Sequence, residues 1–267
     1  MIVICGTARN IEGKLEDSIK DLYRAFSSFK QVKFLICESF STDQTLLELD
    51  KLKIEVPNFD YFSDSEIDKN EWRRTVRIAS ARNELQKKIR DEYENYDYVA
   101  MVDLDGVNRD LNKKSVESIW QFDFWDAVFA NQPLRYYDIW ALRAKGWNEG
   151  DCWNEYQNLL KILPSKEAHR IAVTSKMKSI SEKSQPIRVE SAFGGLGIYR
   201  TSVFLESLYL GMDDEGNEIC EHIHFHETLS KKGYQLFIMP SLVNLNRRSQ
   251  ILNILKERIL RATKRIK

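Results

Sequence analysis

Two carboxylates one residue apart close an apolar run: Tyr98-Val-Ala-Met-Val102 is followed at once by Asp103-Leu104-Asp105-Gly106. Alternate side chains of an extended chain point the same way, so Asp103 and Asp105 can face one ligand together. Gly106 then permits a turn that a residue with a Cβ would resist. A buried strand that delivers paired carboxylates at its tip suits a hard divalent cation, Mn2+ or Mg2+, with phosphate oxygens and water completing the shell. Alone, the same pattern describes a strand running into a polar loop, because Asp is common in turns. Its meaning depends on its company.

That company is of three kinds. Arg9 follows the first apolar run and Arg82 stands on a predicted helix, and guanidinium groups match phosphate oxygens. Phe193-Gly194-Gly195-Leu-Gly197 supplies paired glycines, which let backbone approach a ligand closely. It is not a dinucleotide fingerprint, since it does not open a helix after the first strand. Cys220-Glu221-His222-Ile-His224-Phe-His226 gathers three of the four histidines beside a carboxylate. A histidine can accept a proton near neutral pH. Strand geometry would align all three histidines, helix geometry only His222 with His226. With Cys220 the only nearby thiol, a zinc site is the weaker reading.

These residues need a scaffold, and the chain has the pattern of one. Apolar strands are expected at Ile2–Cys5, Val32–Cys37, Lys53–Val56 (weaker), Tyr98–Val102 and Asp123–Asn131. Helical periodicity runs from Ile11 to Phe29, from Thr45 onward, from Glu71 to Tyr93, from Lys113 to Phe122 and from Trp153 to Leu163. Strands alternating with helices through short polar connections predict an α/β fold with a mostly parallel sheet flanked by helices. Ligands bind beyond the C-terminal ends of such strands, where Arg9, Glu38, Asp43, Asp103 and Asp105 all fall. Residues 166–183 are polar and Lys-rich, and read as a loop or lid.

Composition sets outer bounds. Of 267 residues 43% are apolar and 30% charged, as in ordinary globular proteins, and 40 basic residues balance 40 acidic ones. Net charge therefore gives no reason to expect nucleic acid as a partner. Four scattered cysteines read as buried thiols rather than a disulfide framework. No apolar run reaches the ~20 residues that cross a bilayer, and Met1-Ile-Val-Ile-Cys5 opens a strand without a basic segment, so a cytoplasmic location is expected. From Arg247 to Lys267, eight basic residues face Glu257 while Ile251, Leu255, Ile259, Ala262 and Ile266 share one helical face. That basic amphipathic helix suits either peripheral contact with an anionic membrane or packing across the domain.

Three stretches together resemble GT-A nucleotide-sugar glycosyltransferases, the large family 2 in particular. Glu38-Ser-Phe-Ser-Thr-Asp43-Gln-Thr45 is similar to the Asp-Asp-Gly-Ser-Thr-Asp-Gly-Thr segment that helps hold the base. Ala81-Arg82-Asn83 is similar to the Ala-Arg-Asn before the metal strand, and Asp103-Leu104-Asp105 stands at the Asp-x-Asp. Cys220 to Pro240 lies without a gap on the family's Glu-Asp segment, helix, Gly-Tyr, strand and Pro, with His222 in place of the Asp. The order and spacing of the three are more specific than any one. Glu38 and Ser39 replace the paired aspartates and Phe40 a glycine, so the base does not carry over.

The resemblance implies a GT-A (Rossmann-like) domain over 1–246, with an acceptor-side insertion at 132–188 and the C-terminal helix at 247–267. It implies donor contacts from Thr7, Ala8, Arg9, Glu38, Asp43, Arg82, Asp103, Leu104, Gly194 and Gly195. Asp103, Asp105 and one further ligand, His224, would hold Mn2+ or Mg2+, with Glu221 or His222 as the base. Aromatic faces suit sugar rings, so Tyr137, Trp140 and Arg143 are expected to meet a glycan or glycolipid acceptor. The implied reaction is metal-dependent sugar transfer, inverting by default. A retaining enzyme of the capsule mannosyltransferase type, a sugar-nucleotide nucleotidyltransferase and a non-catalytic glycan-binding module are the alternatives.

Overall fold

The computed structural model describes residues 1–264, and side chains as far as residue 256. Strands β1 (Ile2–Ala8), β2 (Val32–Glu38), β3 (Phe59–Ser63) and β4 (Tyr98–Val102) alternate with helices α1 (Leu15–Ala25), α2 (Thr45–Glu55) and α3 (Arg74–Glu92). After the short α4 (Lys113–Glu117) comes β5 (Ala127–Asn131), then α5 (Cys152–Leu159), α6 (Ser165–Ala172), β6 (Ile187–Arg188) and β7 (Leu196–Arg200). The chain continues through α7 (Thr201–Phe204), α8 (Glu221–Lys231), β8 (Leu236–Val243) and α9 (Arg247–Lys264). One eight-stranded sheet, ordered β3-β2-β1-β4-β7-β5-β8-β6, joins all strands.

Period-2 alternation explains why both faces of the sheet are covered. Val3, Cys5, Val99 and Met101 face one way, onto Leu85 and Ile89 of α3 and Phe225 and Leu229 of α8. Ile2, Ile4, Ala100 and Val102 face the other, onto Leu15, Ile19 and Leu22 of α1. All four cysteines are free and buried, as their scatter indicated. β7 runs antiparallel to both β4 and β5. Its entry, Gly194-Gly195, therefore lies at the same sheet edge as the C-terminal ends of β1, β2 and β4. Four strands that are distant in sequence thus present loops to one place.

Several expectations need correction. Lys53–Val56 is not a strand: α2 continues to Glu55 with Ile54 exposed, and the third strand begins at Phe59 after a left-handed turn at Asn58, φ 57°. A four-residue alternation is too short to separate the end of a helix from a strand. Residues 166–183 are not simply a loop, since α6 and a 3₁₀ turn at Thr174–Lys176 occupy much of the stretch. Only Ala168 and Ala172 mark the buried face of α6, and alanines carry little hydrophobic signal. The helix expected from Glu71 starts at Arg74, because the Glu71 carboxylate instead holds the Arg73 N–H and guanidinium. α5 stops at Leu159, four residues short of the expected end.

The start of α9 docks on the segment after β5 through buried Gln250, which accepts from Leu134 N–H at 2.8 Å and donates to Arg135 O at 2.8 Å. Ile251 and Leu255 of the anticipated apolar face are half-exposed. The side chains of Ile259 and Ala262, and all of Ile266, lie outside the described residues. No described helix is long and apolar enough to cross a membrane.

Candidate active site

A cavity of about 590 Å³ opens at the C-terminal edge of β1, β2 and β4. Eleven residues singled out from the sequence line it: Thr7, Ala8, Arg9, Arg82, Asp103, Leu104, Asp105, Tyr137, Trp140, Glu221 and His222. Asp103 follows β4 and is half-buried, while Asp105, two residues on, is exposed and accepts from Val107 N–H at 3.2 Å. Burial, aided by Asp105, Asp138 and Glu221, pushes Asp103 up to about 7 against the pull of Arg82.

Arg82 sits at the back wall, fully enclosed. Its Nη1 contacts a Glu221 carboxylate oxygen and lies 2.7 Å from His222 Nε2, and its Nη2 is 3.6 Å from Asp103 Oδ1. Its guanidinium carbon stands 5.0 Å over Phe193 and 5.4 Å over Tyr209. A guanidinium cannot accept a hydrogen bond, so His222 Nε2 must. The imidazole is therefore neutral with its proton on Nδ1, and burial together with Arg82 holds it well below the ordinary histidine range. Both expected bases are thus engaged by one cation: His222 by its lone pair and Glu221 by one oxygen.

The glycine turn does not line the cavity but braces two residues that do. Gly195 O accepts from Asp103 N–H at 2.9 Å, and Gly194 N–H donates to Asp138 Oδ2 at 2.9 Å. Positive φ at both, 69° and 89°, is the conformation that favours glycine. A Cβ on Gly195 would meet Val107 Cγ1 at 2.5 Å.

Four further expected contact residues stand away from the cavity wall. Buried Glu38 accepts from Ser41 N–H and from the Ser63 hydroxyl, so it shapes the loop after β2. Asp43 binds Glu12 N–H at 3.1 Å and Thr45 N–H at 3.0 Å, fastening the loop after β1 to the start of α2. Arg143 is buried, donating to Trp140 O and Leu142 O at 3.1 and 2.8 Å, with Asp151 at 3.7 Å. His224 is exposed on α8, two positions and roughly 200° from His222, on the side away from Asp103. His222 and His226 are the pair that share a face, stacked at 5.2 Å between ring centroids.

Sequence reasoning passed over Ser39, Arg74, Arg77, Asp138, Phe193 and Cys220 as site residues, all of which line the cavity. Arg74, Arg77, Ala81 and Arg82 follow helical spacing along one side of α3, a stripe that could have been found. Arg77 is held below its ordinary range by burial and by Arg9 beside it, and Arg9 Nη1 is buried without a hydrogen-bond partner. Asp138 was hidden among aromatics whose packing drew the reading elsewhere.

Among the described residues no three His, Cys, Asp or Glu side chains gather tightly enough to hold a metal by themselves. Two carboxylates, with phosphate oxygens and water for the remainder, still fit a hard cation such as Mn2+ or Mg2+.

No protein-family profile and no curated protein matches the sequence. Among solved structures the chain resembles the mannosyltransferase PcManGT from Pyrobaculum calidifontis, solved with GDP-Man and Mn2+. The TM-score is 0.50 at 14% identity over 91% of this chain and 55% of that one. It resembles TarS from S. aureus to the same degree, TM-score 0.50 and 14% identity over 89% of this chain and 57% of that one. The chain thus spans little more than half the length of either. At such identities the likeness is one of fold, and the chain has the GT-A fold.

Proposed function

We propose that the protein is a glycosyltransferase that moves a sugar from a nucleoside-diphosphate donor to a hydroxyl of a glycan or glycolipid, with a divalent cation and with inversion at the anomeric carbon. One observation carries this reading: Asp103 and Asp105 share a single cavity with Arg9, Arg74, Arg77 and Arg82. Asp138 and Glu221 bring the lining carboxylates to four, equal to the arginines, so a bound diphosphate leaves its own charge for a cation to neutralise. The GT-A fold shared with a mannosyltransferase solved with GDP-Man and Mn2+ supports the same reading.

Asp103 and Asp105 would hold the cation. When bound, it stabilises negative charge on the departing diphosphate. Arg9, Arg74 and Arg77 bind phosphate oxygens, and Thr7, Ala8 and Ser39 in the cavity wall border the nucleoside. Arg82, locked by Glu221 and His222, keeps Asp103 oriented and adds positive potential where the leaving group develops charge. Tyr137 and Trp140 offer flat faces to the acceptor. Sugar release from a panel of UDP-, GDP- and CMP-sugars with Mn2+, for wild type and Asp105→Ala, tests the proposal. Hydrolysis of one donor that is lost in the variant is expected. If no donor turns over and no nucleotide binds in a metal-dependent way, the reading fails.

A further inference from the structure

Transfer to a hydroxyl needs a group that receives the hydroxyl's proton, and the cavity's basic side chains are unequally available. His222 directs its only lone pair at Arg82. Glu221 has an oxygen bound to the same guanidinium, and Asp103 faces it at 3.6 Å while also standing at the proposed cation site. Asp105 is the other carboxylate of that cation site. The remaining carboxylate in the cavity is Asp138.

Asp138 differs from the rest in its partners. Its hydrogen bonds come from backbone alone, Gly194 N–H to Oδ2 at 2.9 Å and Ala141 N–H to Oδ1 at 3.4 Å. These orient the carboxylate without placing a cation on it. It lies in the cavity wall between Tyr137 and Trp140, the two aromatics on the acceptor side. Its mounting is also tied to the cation site, because the turn that holds it through Gly194 holds Asp103 through Gly195. One rigid turn therefore sets the spacing between a free carboxylate and the proposed phosphate-binding centre.

We propose that Asp138 is the catalytic base of the transfer, an assignment that rests on the transferase reading above. The acceptor O–H bond breaks and its proton passes to the Asp138 carboxylate. The freed oxygen pair forms the bond to the anomeric carbon as the bond from that carbon to the diphosphate breaks, its electron pair leaving on the diphosphate oxygen. The proton returns to solvent when product departs. Burial, only partly opposed by the two backbone N–H groups, raises the Asp138 carboxyl above its ordinary range, in keeping with a proton acceptor.

The test uses hydrolysis, in which water stands in for the acceptor, of whichever UDP-, GDP- or CMP-sugar the wild type cleaves with Mn2+. Asp138→Asn keeps an oxygen for Gly194 N–H, so unchanged melting and binding of the corresponding free nucleotide within about two-fold are expected. The hydrolysis rate should fall by about 10²- to 10⁴-fold, the usual worth of a positioned base. Asp138→Ala should be rescued by added formate, and Glu221→Ala should not, which separates a missing base from a disturbed site. Proton NMR of the first product should show the anomer opposite to the donor's. Near-normal hydrolysis by Asp138→Asn, formate rescue confined to Glu221→Ala, or a retained anomer each overturns the assignment alone. A wild type that binds no nucleotide overturns the transferase reading, and this assignment with it.

Discussion

Arg82 and His222 meet with Nη1 2.7 Å from Nε2, so the imidazole lone pair is spent on a cation that also holds Glu221 and reaches toward Asp103. One guanidinium buried at the back of the cavity thereby joins α3, α8 and the end of β4. Arg82→Met would leave Glu221 charged and unpaired in the interior. Breaking a buried pair in this way costs about 3–5 kcal/mol, and urea unfolding should show a loss of that size. Arg82→Lys should recover only part of it, because one ammonium cannot match three partners at fixed angles. A loss within the scatter of surface substitutions would contradict the role given to Arg82.

Stability should depend on pH through the stacked histidines. Burial, with Arg82 adding to it, holds His226 well below the ordinary range, and His222 likewise. The unfolded chain takes up protons near pH 6.5 while the folded one does not, so folding loses stability as pH falls below about 6.5. Each histidine contributes up to about 1.4 kcal/mol per pH unit. Asp103 and Asp138, both raised, act in the opposite sense. The slope of stability between pH 6.5 and 5 is therefore compared between wild type and His226→Gln. The variant should lose about one proton's share of the acid destabilisation; an identical slope would mean His226 titrates normally.

Gly195 bears a double demand, a φ of 89° and a neighbour at 2.5 Å from any added Cβ. Strain of this kind costs on the order of 1–3 kcal/mol, so Gly195→Ala should melt earlier. Because Gly195 O holds Asp103 N–H, the variant should also bind Mn2+ and nucleotide more weakly, read by calorimetry. Gly216, also at positive φ but with open space around it, is the control: its alanine variant should carry the backbone strain without the binding defect.

Ligand binding and stability should separate at Asp105 and Arg77. Asp105 is exposed, with one hydrogen bond to its own loop, so Asp105→Asn should unfold within about 0.5 kcal/mol of wild type. Metal-dependent nucleotide binding should nonetheless disappear, and EDTA should mimic the substitution in the wild type, reversibly with Mn2+. Arg77→Ala removes a charged hydrogen-bond donor worth about 1.5–3 kcal/mol, a loss of roughly ten- to a hundred-fold in nucleotide affinity. Unaltered affinity in both variants would detach the arginine stripe and the carboxylate pair from phosphate binding.

Much of the scaffold was legible in the chain because strands at Ile2, Val32 and Tyr98 are largely buried on both faces and read as apolar runs, interrupted only by Lys33. The carboxylate pair was legible for the same reason, since Asp103 and Asp105 interrupt such a run where the strand must end. Lys53–Val56 and the stretch around Ala168 were not, because a short alternation or two alanines carry too little period to choose between states. His224 illustrates the limit for single residues: its type suited a ligand, and only the helical phase of α8 turned it outward.

The sequence by itself determined the order of the elements, the edge of the sheet where polar loops gather, and the residue types available there, because periodicity and turn chemistry are local. Only the tertiary structure decided which of those residues are free to act. Arg82 engages Glu221 and His222 from 139 and 140 positions away, and Gly194 orients Asp138 across 56. Pairings over such separations are set by how helices pack on the sheet, and they determine which carboxylate is paired with a cationic side chain and which is left without one.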